Sequence, residues 1–173
     1  MVDKLTPSTV TQIAIVVRDI DQKIRAWAEV FGLPKPEVHT TATADQTNIK
    51  YKGRPTDARA KLAFFDLGNV TVELIEPVGG PSTWQGFLDR HGEGVHHIAF
   101  KVKNTGETVA FLEAHHLKIE QQGDFVGGKY TYLDGIKPLG VILELLENDE
   151  KPKKDKPGKS SANNKAVPAE EAK

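Results

Sequence analysis

The sequence predicts an α+β fold in which two tandem βαβββ modules form a cleft. Two pairs of similar segments lead to this prediction. TQIAIVVRD (residues 11–19) aligns without a gap with HHIAFKVKN (96–104), and VTVELIE (70–76) aligns with VILELLE (141–147). Both pairs occur in the same order along the chain, which is typical of an internal duplication. Each copy also has a strand pattern followed by a helix-capping signal.

The first module begins with alternating apolar residues at 11–17, which predict a strand. Asp19 is a typical helix N-cap with Gln22 as its capping-box partner, and Gly32 ends the helix. A turn at Gly68 and Asn69 predicts a hairpin. The other strands are expected at residues 37–41, 61–66 and 70–76.

The second module repeats this order. Its first strand is expected at residues 96–102, and Asn104 caps the following helix with Glu107 as its partner. The other strands are expected at residues 117–122, 129–134 and 140–146.

We expect one domain at residues 10–147. A polar stretch at residues 42–59 accounts for the greater length of the first module as an insertion. A short helix is expected near residues 84–90. The two modules and the linker between them are placed at residues 10–78, 95–147 and 79–94.

The two ends of the chain are expected to lie outside this domain. Residues 1–9 are predicted to be an N-terminal extension. Residues 148–173 are rich in lysine and proline and almost free of large apolar side chains. Such a segment cannot offset its ordering entropy by burial, so a disordered tail is predicted.

Composition excludes several classes of function. The chain has 173 residues and a net charge of −1, so we expect neither a nucleic acid partner nor binding to an anionic membrane. It has no cysteine, which excludes disulfides and thiolate metal ligands. No apolar run is long enough to span a membrane. A cytoplasmic location is expected.

Four polar residues interrupt the apolar strands at matched positions of the two modules. Gln12 is aligned with His97, and Glu73 with Glu144. All four are metal-ligand types on the strand face opposite to the bulky aliphatic residues. Without a thiolate, this set suits one divalent ion, with Zn²⁺, Ni²⁺, Co²⁺, Mn²⁺ and Mg²⁺ all open. The alternative is that they are solvated or hydrogen-bonded groups in a ligand cleft.

The remaining histidines are expected to have structural roles. His96 is expected on the strand face opposite to His97 because successive side chains alternate. The others are His39, His91, His115 and His116.

Two longer segments, at residues 67–100 and 127–145, resemble the vicinal oxygen chelate superfamily, and methylmalonyl-CoA epimerases in particular. The resemblance covers residues 10–147. It implies a homodimer, a small-molecule acyl-CoA substrate and a metal-binding cleft. It places the metal ligands at Gln12, Glu73, His97 and Glu144. It also implies an enolate formed by α-proton removal, with Glu144 as the base.

The sequence departs from the epimerase pattern at two positions. Epimerases usually have histidine where this chain has Gln12, and the set of four ligands resembles that of eukaryotic-type glyoxalase I. A glutathione adduct is therefore the alternative substrate. Some epimerases also have a second glutamate at the position of Leu62.

Two other functions found in this superfamily are alternatives to an isomerase or lyase. An extradiol dioxygenase needs two histidines and one carboxylate on Fe²⁺, and only one of these histidine positions is filled here. A drug-sequestering binding module commonly lacks a full ligand set, whereas this chain keeps four candidate ligands.

The loop before the strand at 129–134 is a candidate substrate contact. Glycines permit close backbone approach, so Gly128 is expected beside the substrate. Lys129 is expected to meet a substrate phosphate or carboxylate. An ordinary hairpin is the alternative.

Overall fold

In the computed structural model, which describes residues 10–149, ten strands form one mixed sheet. The strands are β1 (Gln12–Val16), β2 (His39–Thr40), β3 (Lys50–Tyr51), β4 (Arg54–Pro55), β5 (Arg59–Asp66), β6 (Thr71–Val78), β7 (Gly94–Lys101), β8 (Lys118–Phe125), β9 (Gly128–Asp134) and β10 (Ile142–Asn148). The helices are α1 (Ile20–Phe31), α2 (Ala44–Thr47), α3 (Thr83–His91), α4 (Thr105–Ala114) and α5 (Ile136–Leu139).

The sheet shows the duplication directly. β1 and β7 lie antiparallel at its centre, and each is parallel to the last strand of its own module, β6 or β10. Outward from the centre the order is β1, β6, β5, β2 on one side and β7, β10, β9, β8 on the other. The predicted pair of βαβββ modules is confirmed. The pseudo-symmetry places matched residues of the two modules on either side of one central strand pair.

Helices α1 and α4 cover one face of the sheet. The side chain of Asp19 accepts a hydrogen bond from the backbone N–H of Gln22, and Asn104 does the same for Glu107, so both predicted caps are confirmed. Gly32 ends α1 in the left-handed conformation, at φ 64°. The buried residues between these helices and the sheet include Ile20, Ile24, Leu74, Leu112, Leu133 and Leu145.

Helix α3 packs on the other face of the sheet. Its Trp84 and Leu88 belong to a buried cluster with Ala14 and Ile75, two residues of the central strands. Ser82 caps the helix by accepting from the backbone N–H of Gln85. The linker between the modules therefore closes one end of the cleft.

The insertion crosses from one half of the sheet to the other. We call residues 41–58 the strap. Before it, β2 pairs with β5 of the first module; within it, the hairpin β3–β4 joins the sheet beside β8 of the second module. Asn48 Nδ2 also donates to Asp124 Oδ2 at 2.7 Å. Because the strap is bound at both edges, it spans the cleft.

The structure corrects one boundary. β10 continues through Asn148, which was predicted to begin the tail. Pairing of Asn148 with Gly128 extends the strand beyond the last large aliphatic residue. The rest of the predicted tail and the predicted N-terminal extension lie outside the described residues. Within the described range, no helix has the length and apolar character needed to cross a bilayer.

Gly128 has a packing role that can be tested. It is buried, and a Cβ atom there would press on the backbone oxygen of Glu147 and lie 2.8 Å from Phe125 Cζ. We expect Gly128→Ala to destabilise the fold by about 1–3 kcal/mol because backbone must move. Gly106→Ala, in α4, is the control, because a Cβ atom there would lie 3.5 Å from its nearest neighbour, Asn104 Oδ1. Equal denaturant midpoints for the two variants would contradict the packing role.

Candidate metal centre

The central strands bring three of the predicted ligands to the same face of the sheet, at neighbouring positions. Glu73 of β6 and His97 of β7 both pair with Ala14, on the strand between them. Glu144 of β10 pairs with Ala99 of β7. Side chains of paired residues point to the same face. The alanines have only a methyl group there, which leaves room for the three longer side chains to meet.

These three side chains are within reach of one ion. One ligand atom from each lies within 4.8 Å of the other two, and all three residues are buried. His97 Nε2 is 3.0 Å from Glu144 Oε2 and 3.6 Å from Glu73 Oε2. Two carboxylates and one imidazole without thiolate are a hard, mixed set suited to a divalent cation.

Two atoms of this cluster are not hydrogen-bonded. His97 Nε2 and Glu144 Oε2 are buried and make no hydrogen bond of acceptable geometry to any described residue, although they approach each other closely. An unsatisfied buried polar atom costs about 1–3 kcal/mol. When the His97 ring is neutral and its Nε2 unprotonated, these two atoms present converging lone pairs, an arrangement that fits coordination to a shared cation.

The electrostatics of the cluster show how its charges are balanced in the protein alone. Burial by itself lowers the pKa of His97, but the charge and close approach of Glu144 and Glu73 raise it to about 9. Burial raises the pKa of the Glu73 carboxyl, an effect that His97 partly offsets and Glu144 increases. At neutral pH the imidazolium therefore occupies the electrostatic role that a metal cation would take.

His96 does not face away from His97, and that expectation is wrong. The pairing of β1 with β7 is irregular: Ala14 pairs with His97 but Ile15 pairs with Val95, so His96 is an extra residue in the ladder. His96 Nδ1 lies 2.9 Å from His97 Nδ1. Burial and the neighbouring His97 lower the pKa of His96 well below its usual value, so its ring is neutral.

Gln12 is placed at the same cleft but beside the cluster. It pairs with Thr71 and with Ala99, the residue that also pairs with Glu144. It lines the cavity that Glu73 and Glu144 also line. Its role as a fourth ligand stays a prediction.

A large cavity opens above these residues. Its volume is about 680 Å³, and most of its walls are apolar. The strap contributes Thr47 and Ile49 to its lining, and β9 contributes Tyr130 and Tyr132. The larger apolar side chains of its walls are Ile49, Leu62, Phe64, Trp84, Phe125 and Leu146. A cavity of this size and character suits a small organic ligand with the carboxylates at its base.

The two basic residues of the cavity lining were not predicted from the sequence. Lys101 lines the cavity, and strict alternation from His97 through Ala99 would have placed it on that face. His39, expected to be structural, also lines the cavity because it pairs with Leu62. No sequence signal marks His39, since the pairing of β2 with β5 is not local.

The position of Lys129 gives no support to its predicted role in substrate binding. Its Nζ lies 3.4 Å from Glu147 Oε1, and the residue is not among those that line the cavity. Tyr130 and Tyr132, which do line it, alternate with Lys129 along β9. Gly128 is likewise held against β10 rather than at the cavity wall.

Comparison with known proteins identifies the family. The model of the glyoxalase/bleomycin resistance protein/dioxygenase superfamily matches residues 11–132. The chain belongs to this superfamily. The match includes both central strands and the positions of Glu73 and His97.

Relatives within the superfamily include uncharacterised and named proteins. The uncharacterised protein YqjC of Bacillus subtilis is 34% identical over 95 residues, which cover 53% of this chain and 67% of YqjC. The mitochondrial methylmalonyl-CoA epimerase of Bos taurus is 30% identical over 88 residues. That match covers 49% of this chain and spans only 50% of the bovine protein.

Solved structures show the same fold. A variant of Streptomyces coelicolor methylmalonyl-CoA epimerase, in complex with 2-nitronate-propionyl-CoA, superimposes with a TM-score of 0.57 at 20% identity. The match covers 84% of this chain and 100% of that structure. The vicinal oxygen chelate fold inferred from the sequence is therefore confirmed.

The raised pKa of His97 predicts that metal binding is coupled to proton release. Below pH 9 the ring must lose a proton before Nε2 can bind a metal. We expect Co²⁺ affinity to rise about tenfold per pH unit from pH 7 to 9 and then to level off. Calorimetry at pH 7 in buffers of different ionisation enthalpy should detect release of about one proton. Affinity that does not vary between pH 7 and 9 would contradict this account.

Proposed function

We propose that the protein is a divalent-metal-dependent isomerase that removes a proton next to a carbonyl group, with epimerisation of a methylmalonyl-CoA-like thioester as its reaction. The observation that carries this proposal is the pair of unsatisfied buried atoms, His97 Nε2 and Glu144 Oε2, converging at the base of a large cavity. The similarity to named epimerases supports the same reaction class.

Glu73, His97 and Glu144 would hold the ion, with Gln12 as the expected fourth ligand. A metal there would act as a Lewis acid toward substrate oxygens and so stabilise an enolate. Glu144 is the proposed base because its carboxylate both belongs to the cluster and lines the cavity. It takes the proton from the α-carbon, and the electron pair of that C–H bond moves onto the carbonyl oxygen.

The cavity walls would hold the substrate away from water. The ring of Tyr132 lies 4.7 Å from that of His97, and its hydroxyl accepts a hydrogen bond from Trp84 Nε1 at 3.3 Å. Burial raises the pKa values of Tyr130 and Tyr132, so both hydroxyls stay protonated at neutral pH. They are available as hydrogen-bond donors to substrate oxygens.

One observation favours a second candidate, the isomerisation of a glutathione hemithioacetal. Leu62 lines the cavity where the resemblance to epimerases suggests a second acid–base group. A base on one face of an enolate suffices to move a proton between neighbouring carbons of a hemithioacetal. Inversion at a single carbon, as in epimerisation, is simpler with an acid–base group on each face of the enolate.

Deuterium exchange separates these candidates. We expect the Co²⁺-loaded protein in deuterated water to label the α-carbon of methylmalonyl-CoA, with mass spectrometry as the readout. Glu144→Gln should slow exchange by about 10²–10⁴-fold because the base is removed. Glu113→Gln, at an exposed site on α4, is the matched control. Turnover only of the methylglyoxal–glutathione adduct would favour the second candidate, and no reaction with either would contradict both.

Two lysines provide a test of how an anionic substrate is held. Lys101 lines the cavity, whereas Lys129 pairs with Glu147 outside it. We expect Lys101→Ala to raise the KM for an acyl-CoA by about tenfold through loss of an ionic contact. Lys129→Ala should leave the KM near that of the wild-type protein. The reverse order would show that the β8–β9 loop binds the substrate after all.

The oligomeric state and the cellular location are further proposals. We propose a homodimer and a cytoplasmic location, both from the sequence; size-exclusion chromatography with light scattering tests the former.

A further inference from the structure

We propose that Glu120, Thr83 and His96 form a buried relay that holds His97 in the tautomer whose Nε2 can bind a metal ion. This role of the relay depends on the metal-dependent function proposed above. Its members are positioning residues: none of them lines the cavity or belongs to the ligand cluster.

The relay is a continuous series of hydrogen bonds. His97 Nδ1 lies 2.9 Å from His96 Nδ1, and His96 Nε2 lies 3.2 Å from Thr83 Oγ1. The Thr83 hydroxyl donates to Glu120 Oε2 at 3.2 Å. His96, His97 and Thr83 are completely buried. Water therefore cannot replace any of the inner bonds.

The carboxylate of Glu120, at the end of the relay, determines the direction of every hydrogen bond in it. A carboxylate only accepts hydrogen bonds, so Thr83 must donate its single hydroxyl proton to Glu120. The Thr83 oxygen is then left to accept from His96 Nε2–H. A neutral imidazole has one donor and one acceptor, so His96 Nδ1 must accept from His97 Nδ1–H. The proton of neutral His97 is thereby held on Nδ1, and Nε2 keeps its lone pair.

The opposite direction would prevent metal binding. If Thr83 donated to His96 Nε2, the His96 proton would sit on Nδ1 and face His97. Neutral His97 would then carry its proton on Nε2, which points toward Glu144 and Glu73. Such a ring cannot ligate a metal through that atom.

Two irregularities in the strands build this relay. The extra residue His96 in β7 is turned toward α3 and its Thr83. A similar irregularity in β8 lies between Ile119 and Gln121, at Glu120. Gln121 Oε1 accepts from the backbone N–H of Thr83 at 2.9 Å, which holds the start of α3 in place beside Glu120. Both bulged residues belong to the second module, and Thr83 of the linker helix joins them.

Thr83→Val is the direct test, because it keeps the shape of the side chain and removes the hydroxyl. We expect it to weaken Co²⁺ binding by about 10–100-fold in chelator competition, the range typical of lost outer-shell partners. Long-range ¹H–¹⁵N spectra of metal-free protein with ¹⁵N-labelled histidine, recorded at about pH 10 so that His97 is neutral, should show the His96 proton shifting from Nε2 toward Nδ1. Thr83→Ser keeps the hydroxyl and should retain both the affinity and the spectrum.

Glu120→Leu tests the far end of the relay, and it decides the matter if Thr83→Val fails to fold. Glu120 is only partly buried, so this change spares the core. Without its acceptor, the Thr83 hydroxyl can donate to His96, and we expect Co²⁺ binding to weaken by about tenfold or more. Glu113→Leu, on exposed α4, is the matched control.

The outcomes separate this inference from the proposed function. Folded Thr83→Val or Glu120→Leu protein with wild-type Co²⁺ affinity and wild-type histidine spectra would overturn the relay. A wild-type protein that binds no Co²⁺ would contradict the proposed function instead. In that case the histidine spectra still test the relay, because the bonds that set the His96 tautomer do not depend on the metal.

Discussion

The burial of two carboxylates and an imidazole at the centre of the sheet is the constraint on which the other features of this protein depend. Each ion removed from water costs several kcal/mol unless a partner compensates it. Glu73 and Glu144 are both buried, and both approach His97. Proton uptake by His97 compensates their charge in the protein alone. A divalent cation would compensate both carboxylates at once and would take the place of the proton on His97 Nε2.

The duplicated fold is what makes this burial geometrically available. Antiparallel pairing of β1 with β7 places Glu73 and Glu144, from matched strands of the two modules, on either side of the centre. Ala14 and Ala99 keep the space between them open. A larger residue at either alanine would fill the volume in which the side chains of Glu73, His97 and Glu144 meet. The helices α1 and α4 pack against the opposite face, so the core that stabilises the sheet does not compete with the cleft.

The parts outside the repeated modules complete the site. The strap crosses the cleft and adds Ile49 to the cavity lining, while α3 closes its other end with Trp84. α3 also brings Thr83 between His96 and Glu120. Elements that the duplication does not provide thus enclose the cavity and contact His97 through His96. The two symmetric modules alone would supply neither the enclosure of the cavity nor the contact of Thr83 with His96.

The sequence by itself determined the two modules, the caps at Asp19 and Asn104, and three of the candidate metal-ligand positions. These follow from local periodicity and from the match of one module to the other, both of which can be read without knowing any distant contact. Glu73, His97 and Glu144 could be predicted because strand alternation places them opposite the aliphatic residues.

Only the tertiary structure decided the positions that depend on how distant strands pair. The bulge that turns His96 toward Thr83 breaks the alternation from which its direction was predicted, and nothing local marks it. The path of the strap and the cavity position of His39 depend on pairing of β3 with β8 and of β2 with β5. Such pairings are fixed by packing across the whole sheet, whereas the sequence pattern reports only which face of its own strand a residue occupies.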